Sequence, residues 1–397
     1  MAETDLQVLS ANLRRLRAAR GFSQVEAAEA AGLSRAAYRN LETGKSEPRE
    51  RTLQRLADAL GASMTDLLAP APVLNGVRFR SHKRLKLREH ILAEAGRLLS
   101  DYAQLEALLD DRRAFALQAE HSPADDEDKW PAQVAKRCRA RLGLDESEPV
   151  RDICGLLQSC GVKVIALNVA SDGFFGLSAA DPPFGPAVVV NTWERISVER
   201  WIFSAAHELG HLLLHATAFR RSAVEEDAKE ESQANEFASH FLLPPKSFAK
   251  EWMETEGMPL VDRVLKVKRI FRVSYAIVLY RLQQESGKKT LWQWFAADYK
   301  RQRGHSLTHH HEPDALDWDA FSVGAPEPTR AGEPDNLLSS DFVEDRRQRL
   351  VRKAIEEGII SLSRGAEILG LPLEQMRELS SLWVDVWRKA PTESRSS

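Results

Sequence analysis

His207-Glu208-Leu209-Gly210-His211 sits inside the run Trp201-Ile202-Phe203-Ser204-Ala205-Ala206 to Leu212-Leu213-Leu214-His215, and the fold reads outward from it. Apolar residues surround this helix almost completely, which is the pattern of a helix inside a core. Two imidazoles and a carboxylate in such a place need partners, because each unsatisfied buried polar group costs about 1 to 3 kcal/mol. At i and i+4, His207 and His211 leave one helix face a turn apart, so both can reach one Zn2+ at about 2.0 to 2.1 Å. Glu208 stands beside them. It is placed to take a proton from water activated by the ion, the general-base role in metal-assisted hydrolysis.

A zinc site of this kind needs a third protein ligand and keeps a fourth position open. Glu230 to Pro244 reads as a second helix, stopped by Pro244 and Pro245. Glu231, Asn235, Ala238 and Leu242 form one stripe on it, so Glu231 is the best candidate ligand. Asn235, one turn on, would orient a ligand histidine through its other ring nitrogen. Glu230 is the rival, about 100° round the helix, and His240 falls on roughly the opposite face from Glu231. His215 reads as capping or lining the site. The strand Ala187-Val188-Val189-Val190-Asn191 is expected to pair with an extended substrate through backbone hydrogen bonds.

The N-terminal 68 residues read as five short helices. Leu6 to Arg20 carries Leu9, Leu13 and Leu16 on one side. Ser23 caps the next helix with Glu26 completing a capping box, and Val25, Ala28 and Ala31 are expected to face inward. Gly32-Leu33-Ser34 makes the tight connection into a third helix, Arg35 to Leu41, and Leu53, Leu56, Leu60, Leu67 and Leu68 complete the bundle. In this arrangement the third helix enters the major groove of double-stranded DNA. By placement Arg35, Ala36 and Asn40 read bases, while Gln24, Arg39, Thr43 and Lys45 hold phosphates. Each good base contact is worth about 1 to 3 kcal/mol of discrimination. Glu29, Glu42, Glu47 and Glu50 keep the domain from being strongly basic. Used purely for protein contacts, the same bundle is the bland alternative.

Two resemblances follow from these residues. Gly21-Phe22-Ser23-Gln24, Ala27-Ala28, Gly32-Leu33-Ser34 and Leu41-Glu42-Thr43-Gly44-Lys45 resemble the Xre/Cro-type helix-turn-helix family. The stretch from about Val162 to Pro245 resembles the ImmA/IrrE family of zinc peptidases, through Ala187 to Asn191, Phe203 to His211 and Glu231 to Pro245. That resemblance implies a gluzincin-like site in which His207, His211 and Glu231 hold the metal and Glu208 is catalytic. Gln233 stands where relatives often carry a second acid. Active relatives cleave a partner repressor in the bacterial cytoplasm, often within stress-response systems, so a protein substrate is implied here.

Composition sets the class. The chain has 397 residues, room for two or three domains, with a formal net charge of -3. The first ten residues hold no apolar signal core, and no 18-residue apolar run follows, so neither export nor a membrane span is expected and the reading is cytoplasmic. Cys138, Cys154 and Cys160 lack paired zinc spacing and read as small buried apolar residues.

The basic run Arg78, Arg80, Lys83, Arg84, Lys86 and Arg88 could track a DNA backbone or form a solvated face. Ile91, Ala95, Leu98, Tyr102, Leu105 and Leu109 make a short heptad seam, which fits either a homodimer or packing in the same chain. His121 to Lys129 reads as an acidic linker, Val261 to Gln284 as two core helices, Thr308 to Asn336 as a loose connector, and His309 to His311 as incidental. Gly365 to Leu371 echoes Ala27 to Leu33, but Glu374 and Glu378 on the would-be reading helix disfavour phosphates.

The expected fold is mainly α with a small β-sheet. An Xre-type domain spans residues 1–69, a basic hinge and linking helix 70–120, the zinc-peptidase domain 121–300, a flexible connector 301–344 and a helical, helix-turn-helix-like segment 345–385. The expected activity is hydrolysis of a peptide bond in a repressor, in another partner or in the chain itself. Its alternative is a transcription regulator whose metal domain senses a ligand or partner and cleaves nothing.

Overall fold

Five helices in the first 68 residues build the N-terminal bundle of the computed structural model: α1 (Glu3–Ala19), α2 (Gln24–Ala30), α3 (Arg35–Glu42), α4 (Glu50–Leu60) and α5 (Met64–Leu68). The structure describes residues 3–62, 64–68, 74, 76–81, 87–117, 130–181, 184–220, 227–308, 312–316 and 336–388. It divides into two compact units, Met1–Asn75 with Ser81–Ser100, and Gly76–Arg80 with Asp101–Ser397.

In the bundle, α2 starts with the capping box: Glu26 N donates to Ser23 Oγ at 3.2 Å and Ser23 N to Glu26 Oε2 at 2.7 Å. Gly32 then turns the chain at φ +60°, while the Leu33 amide closes on Ala28 O at 2.8 Å. Only a residue without Cβ adopts that left-handed turn cheaply, which is why α2 ends there and α3 can leave at an angle. Ser34 caps α3 by accepting from Ala37 N at 3.1 Å. The inward residues of α2 are Ala27, Ala28 and Ala31. Val25, expected inside, is exposed, because the tight approach of α3 selects the small alanines for the inner face. Leu68 is likewise exposed at the end of α5, where Leu67 takes the core position.

The second unit is built on a four-stranded sheet of β1 (Val77–Ser81), β2 (Lys163–Leu167), β3 (Phe174–Asp181) and β4 (Gly185–Asn191), ordered β1-β3-β4-β2. β2 runs parallel to β4, with Ile165 opposite Val189, and β3 runs antiparallel to it, with Ser178 opposite Val188. The strand Ala187 to Asn191 is therefore interior. Both of its edges are hydrogen-bonded, so the expected pairing of substrate on it is ruled out by lack of a vacant backbone edge.

Helices α6 (Arg88–Leu108), α7 (Trp130–Arg141), α8 (Ile153–Ser159), α9 (Val198–Leu214), α10 (Ala228–Leu242), α11 (Pro245–Glu254), α12 (Leu260–Phe271), α13 (Tyr275–Ser286) and α14 (Leu291–Arg303) follow in chain order. α9 lies on β3 and β4, and α10 crosses α9. Gly210 marks the crossing. A Cβ there would stand 3.0 Å from the Phe237 ring and 3.4 Å from Ala234 Cα, so its missing side chain lets α10 come close enough to share a site with α9.

The seam residues Ile91, Ala95, Leu98, Tyr102, Leu105 and Leu109 are all buried. Part of the expected loose connector is docked as well: Glu312 accepts from the Tyr275 amide at 2.9 Å and pairs with Lys268 at 3.3 Å, while Arg269 donates to Leu316 O. Those buried charges recruit the segment. His309 to His311 and His121 to Lys129 lie outside the described residues. The chain ends in α15 (Asp345–Glu356), α16 (Leu362–Leu369) and α17 (Leu373–Arg388), with Gly370 turning between the last two. Arg346 of α15 is buried against Glu106 and Asp111, and Lys163 pairs with the same Glu106 at 2.8 Å.

Candidate metal centre and reading face

α9 buries His207, Glu208 and His211 almost completely. Nε2 of His207 and Nε2 of His211 stand 3.0 Å apart, and the Glu231 carboxylate from α10 lies 3.3 Å from the first and 3.1 Å from the second. These three side chains form a cluster whose ligand atoms all fall within 4.8 Å of one another. Donors about 2.0 to 2.1 Å from a tetrahedral ion are about 3.3 Å from each other, so the spacing suits one.

The hydrogen bonds behind the cluster say which ring nitrogens carry protons. His207 Nδ1 lies 3.0 Å from Asn235 Oδ1, an acceptor, so Nδ1 donates and the Nε2 lone pair faces the cluster. His211 is set by a longer relay. His215 Nε2 lies 3.0 Å from Gln233 Oε1 and must donate to it, so His215 Nδ1 accepts from His211 Nδ1, again at 3.0 Å. The His211 Nε2 lone pair then also points inward. Burial pushes His211 down to about 4, against the opposing pull of Glu231, so this imidazole is neutral at pH 7. In their neutral forms the two rings thus turn their Nε2 lone pairs toward the Glu231 carboxylate. A cation satisfies such a donor set, and the residues present fit zinc.

Glu208 projects beside the cluster, its Oε2 accepting from Ser178 Oγ of β3 at 2.7 Å. Ser178 is fully buried, and nothing in the local sequence marks it, since the contact joins residues 30 positions apart. His215, expected to cap or line the site, lies against His211 at 3.0 Å and Gln233 stands behind it. Glu230, the rival ligand, turns away to pair with Arg78. His240 sits on the other side of α10, where burial first and then Arg281 bring it down to about 3. A cavity of about 330 Å³ lies alongside, bounded by Phe175, Phe203, Asn235, Tyr275 and Tyr280. Phe203 and Asn235 both border His207, so the cavity opens next to the metal centre.

In the other unit, Arg35, Ala36, Arg39, Asn40, Thr43 and Lys45 are all exposed on α3 and the turn that follows it. Thr43 Oγ1 donates back to Arg39 O at 2.8 Å and finishes the helix. Gln24 is partly buried and donates to Glu42 Oε2 at 2.6 Å. Glu42 itself is buried beside Arg17 at 2.8 Å, so its charge is internal and does not face a nucleic acid. Arg78, counted in the basic run, is buried in β1 and belongs to the second unit.

Among the described residues no helix is long and apolar enough to cross a membrane. No curated protein matches the sequence. Residues 13–67 match the family described as helix-turn-helix, and residues 158–283 match the family described as IrrE N-terminal-like domain. The second match covers β2 to β4, α9 and α10, and so spans every residue of the candidate cluster. The chain thus joins a DNA-binding helix-turn-helix domain of the Xre type to an ImmA/IrrE-like, metallopeptidase-type domain.

Proposed function

We propose that the protein is a cytoplasmic DNA-binding regulator whose second domain is a zinc-dependent endopeptidase, acting on a repressor or other partner protein or on the chain itself. The observation that carries this is the convergence of the His207, His211 and Glu231 ligand atoms with Glu208 at their side. His207, His211 and Glu231 would hold the ion, with Asn235 and the His215–Gln233 pair orienting the two rings. A bound zinc supplies Lewis acidity, which activates water at neutral pH and polarises a carbonyl.

Glu208 takes the proton of the attacking water and hands it to the leaving amine, and the Ser178 hydroxyl keeps the carboxylate aimed while it does so. The cavity beside Asn235, walled by Phe175, Phe203 and two tyrosines, would seat an apolar substrate side chain.

The zinc-loaded chain, incubated with regulators encoded beside its gene, is expected to cut one of them at a single position seen by mass spectrometry. An intact set, with gene regulation still responding in cells, would instead make the metal domain a sensor.

On DNA, Arg35, Ala36 and Asn40 would read base edges while Gln24, Arg39, Thr43 and Lys45 hold phosphates, Gln24 after leaving Glu42. With Arg39 and Lys45 as the two cationic phosphate contacts, affinity should fall about tenfold from 50 to 200 mM salt. A flat salt response measured by fluorescence anisotropy would remove the phosphate contacts.

A further inference from the structure

β4 is closed on both sides, so the sheet edge nearest the candidate metal centre belongs to β3, whose Ser178 holds Glu208. That edge is taken by β1. Gly76 O accepts from the Ala180 amide at 3.0 Å. Only Asp181 of β3 lies beyond this pair, so the five residues of β1 run back along β3 toward Ser178 and Phe174.

The segment is seated closely. Gly76 adopts φ +58°, and a Cβ on it would stand 2.8 Å from Phe219 O, so a side chain is excluded there. Val77 and Arg78 are buried, Arg78 to 3% exposure, although the sequence around them reads as a solvated basic stretch. Arg78 pairs with Glu230, the neighbour of Glu231. Its charge also bears on His211 and His215. An extended backbone on a sheet edge, with a side chain in a charged recess, is how strands of a partner are recognised: main-chain bonds give affinity and the recess gives specificity.

We propose that the outer edge of β3 is the peptide-docking site of this domain, that Glu230 selects Arg or Lys in the docked strand, and that residues 76–81 hold the edge as a built-in substrate mimic. This rests on the peptidase reading. Extended peptides with a glycine two residues before a basic one are the chemical class that fits, and the chain's own segment must leave before any of them docks.

Hydrogen exchange on the full-length, metal-free chain tests the docking. The β1-facing amides of Gly176, Ser178 and Ala180 are expected to be protected in the native chain and to exchange roughly tenfold faster or more in Arg78→Ala and, separately, in Val77→Asp, with α9 and the β4-facing amides of Leu177 and Ala179 unchanged in both. The peptide Gly-Val-Arg-Phe-Arg-Ser added in trans should restore protection to either variant, and the same peptide with Glu for its first Arg should not. In Glu230→Gln the two peptides should become equivalent.

Zinc-loaded Arg78→Ala should cut an unfolded protein such as reduced casein roughly tenfold faster than the native chain. Rapid exchange of the Gly176, Ser178 and Ala180 amides in the native chain, or failure of the peptide to protect them, overturns the docking site. A cut within 76–81 on zinc loading overturns the mimic and makes the segment a substrate. If the exchange results hold while no released variant cuts anything, the peptidase reading fails and the docking edge stands.

Discussion

Cleavage by the zinc-loaded chain is expected to fall by about 10² to 10⁴ when Glu208 is replaced by Gln, the usual size of a lost general base. The carboxamide has nearly the shape of the carboxylate, and its oxygen can still accept from Ser178 Oγ, now 2.7 Å away. Packing around the fully buried side chain should therefore survive. What disappears is the capacity to accept a proton. Zinc content measured by elemental analysis and DNA affinity measured by anisotropy should both stay at native values, which separates lost chemistry from lost fold. The rate drop corresponds to about 3 to 5 kcal/mol of barrier. Cleavage within twofold of native would show that another group moves the proton.

The second large effect concerns the metal. At zinc about a thousandfold above its dissociation constant, binding to the folded state alone stabilises it by about 4 kcal/mol, and the melting temperature should rise with zinc accordingly. In His211→Ala that rise should vanish and stoichiometric zinc should be lost, because the site keeps only one imidazole and one carboxylate. Gln233→Leu is a subtler probe. It removes the acceptor that makes His215 Nε2 the protonated nitrogen, and with it the relay that turns the His211 lone pair inward. Zinc affinity should weaken by about 10- to 100-fold, the typical effect of losing such an orienting partner. Competition with a chromophoric chelator measures both, and unchanged zinc affinity in His211→Ala would remove this histidine from the site.

Much of the architecture was written in short-range spacing. The i, i+4 placement of His207 and His211, the stripe from Glu231 to Leu242, and the Ser23 to Glu26 box all act within one or two helical turns, a distance over which a sequence window contains both partners. Helix type, the apolar face and the helix-turn-helix punctuation at Gly32 were legible for that reason, and so was the α+β class.

Contacts between elements were not legible, because nothing local says which edge meets which. β4 read as a strand, yet its place in the middle of the sheet follows from pairing with β2 and β3 at once. Glu230 and Glu231 differ by about 100° round one helix, and their separate fates depend on Arg78 arriving from β1 more than 150 positions away. Ser178 and the His215–Gln233 relay likewise join residues from different elements. Spacing along the chain therefore set the chemistry this protein carries and the helices that carry it. Long-range packing chose which donors meet and which backbone edge stays covered, since burial and hydrogen bonding are satisfied over the whole fold at once.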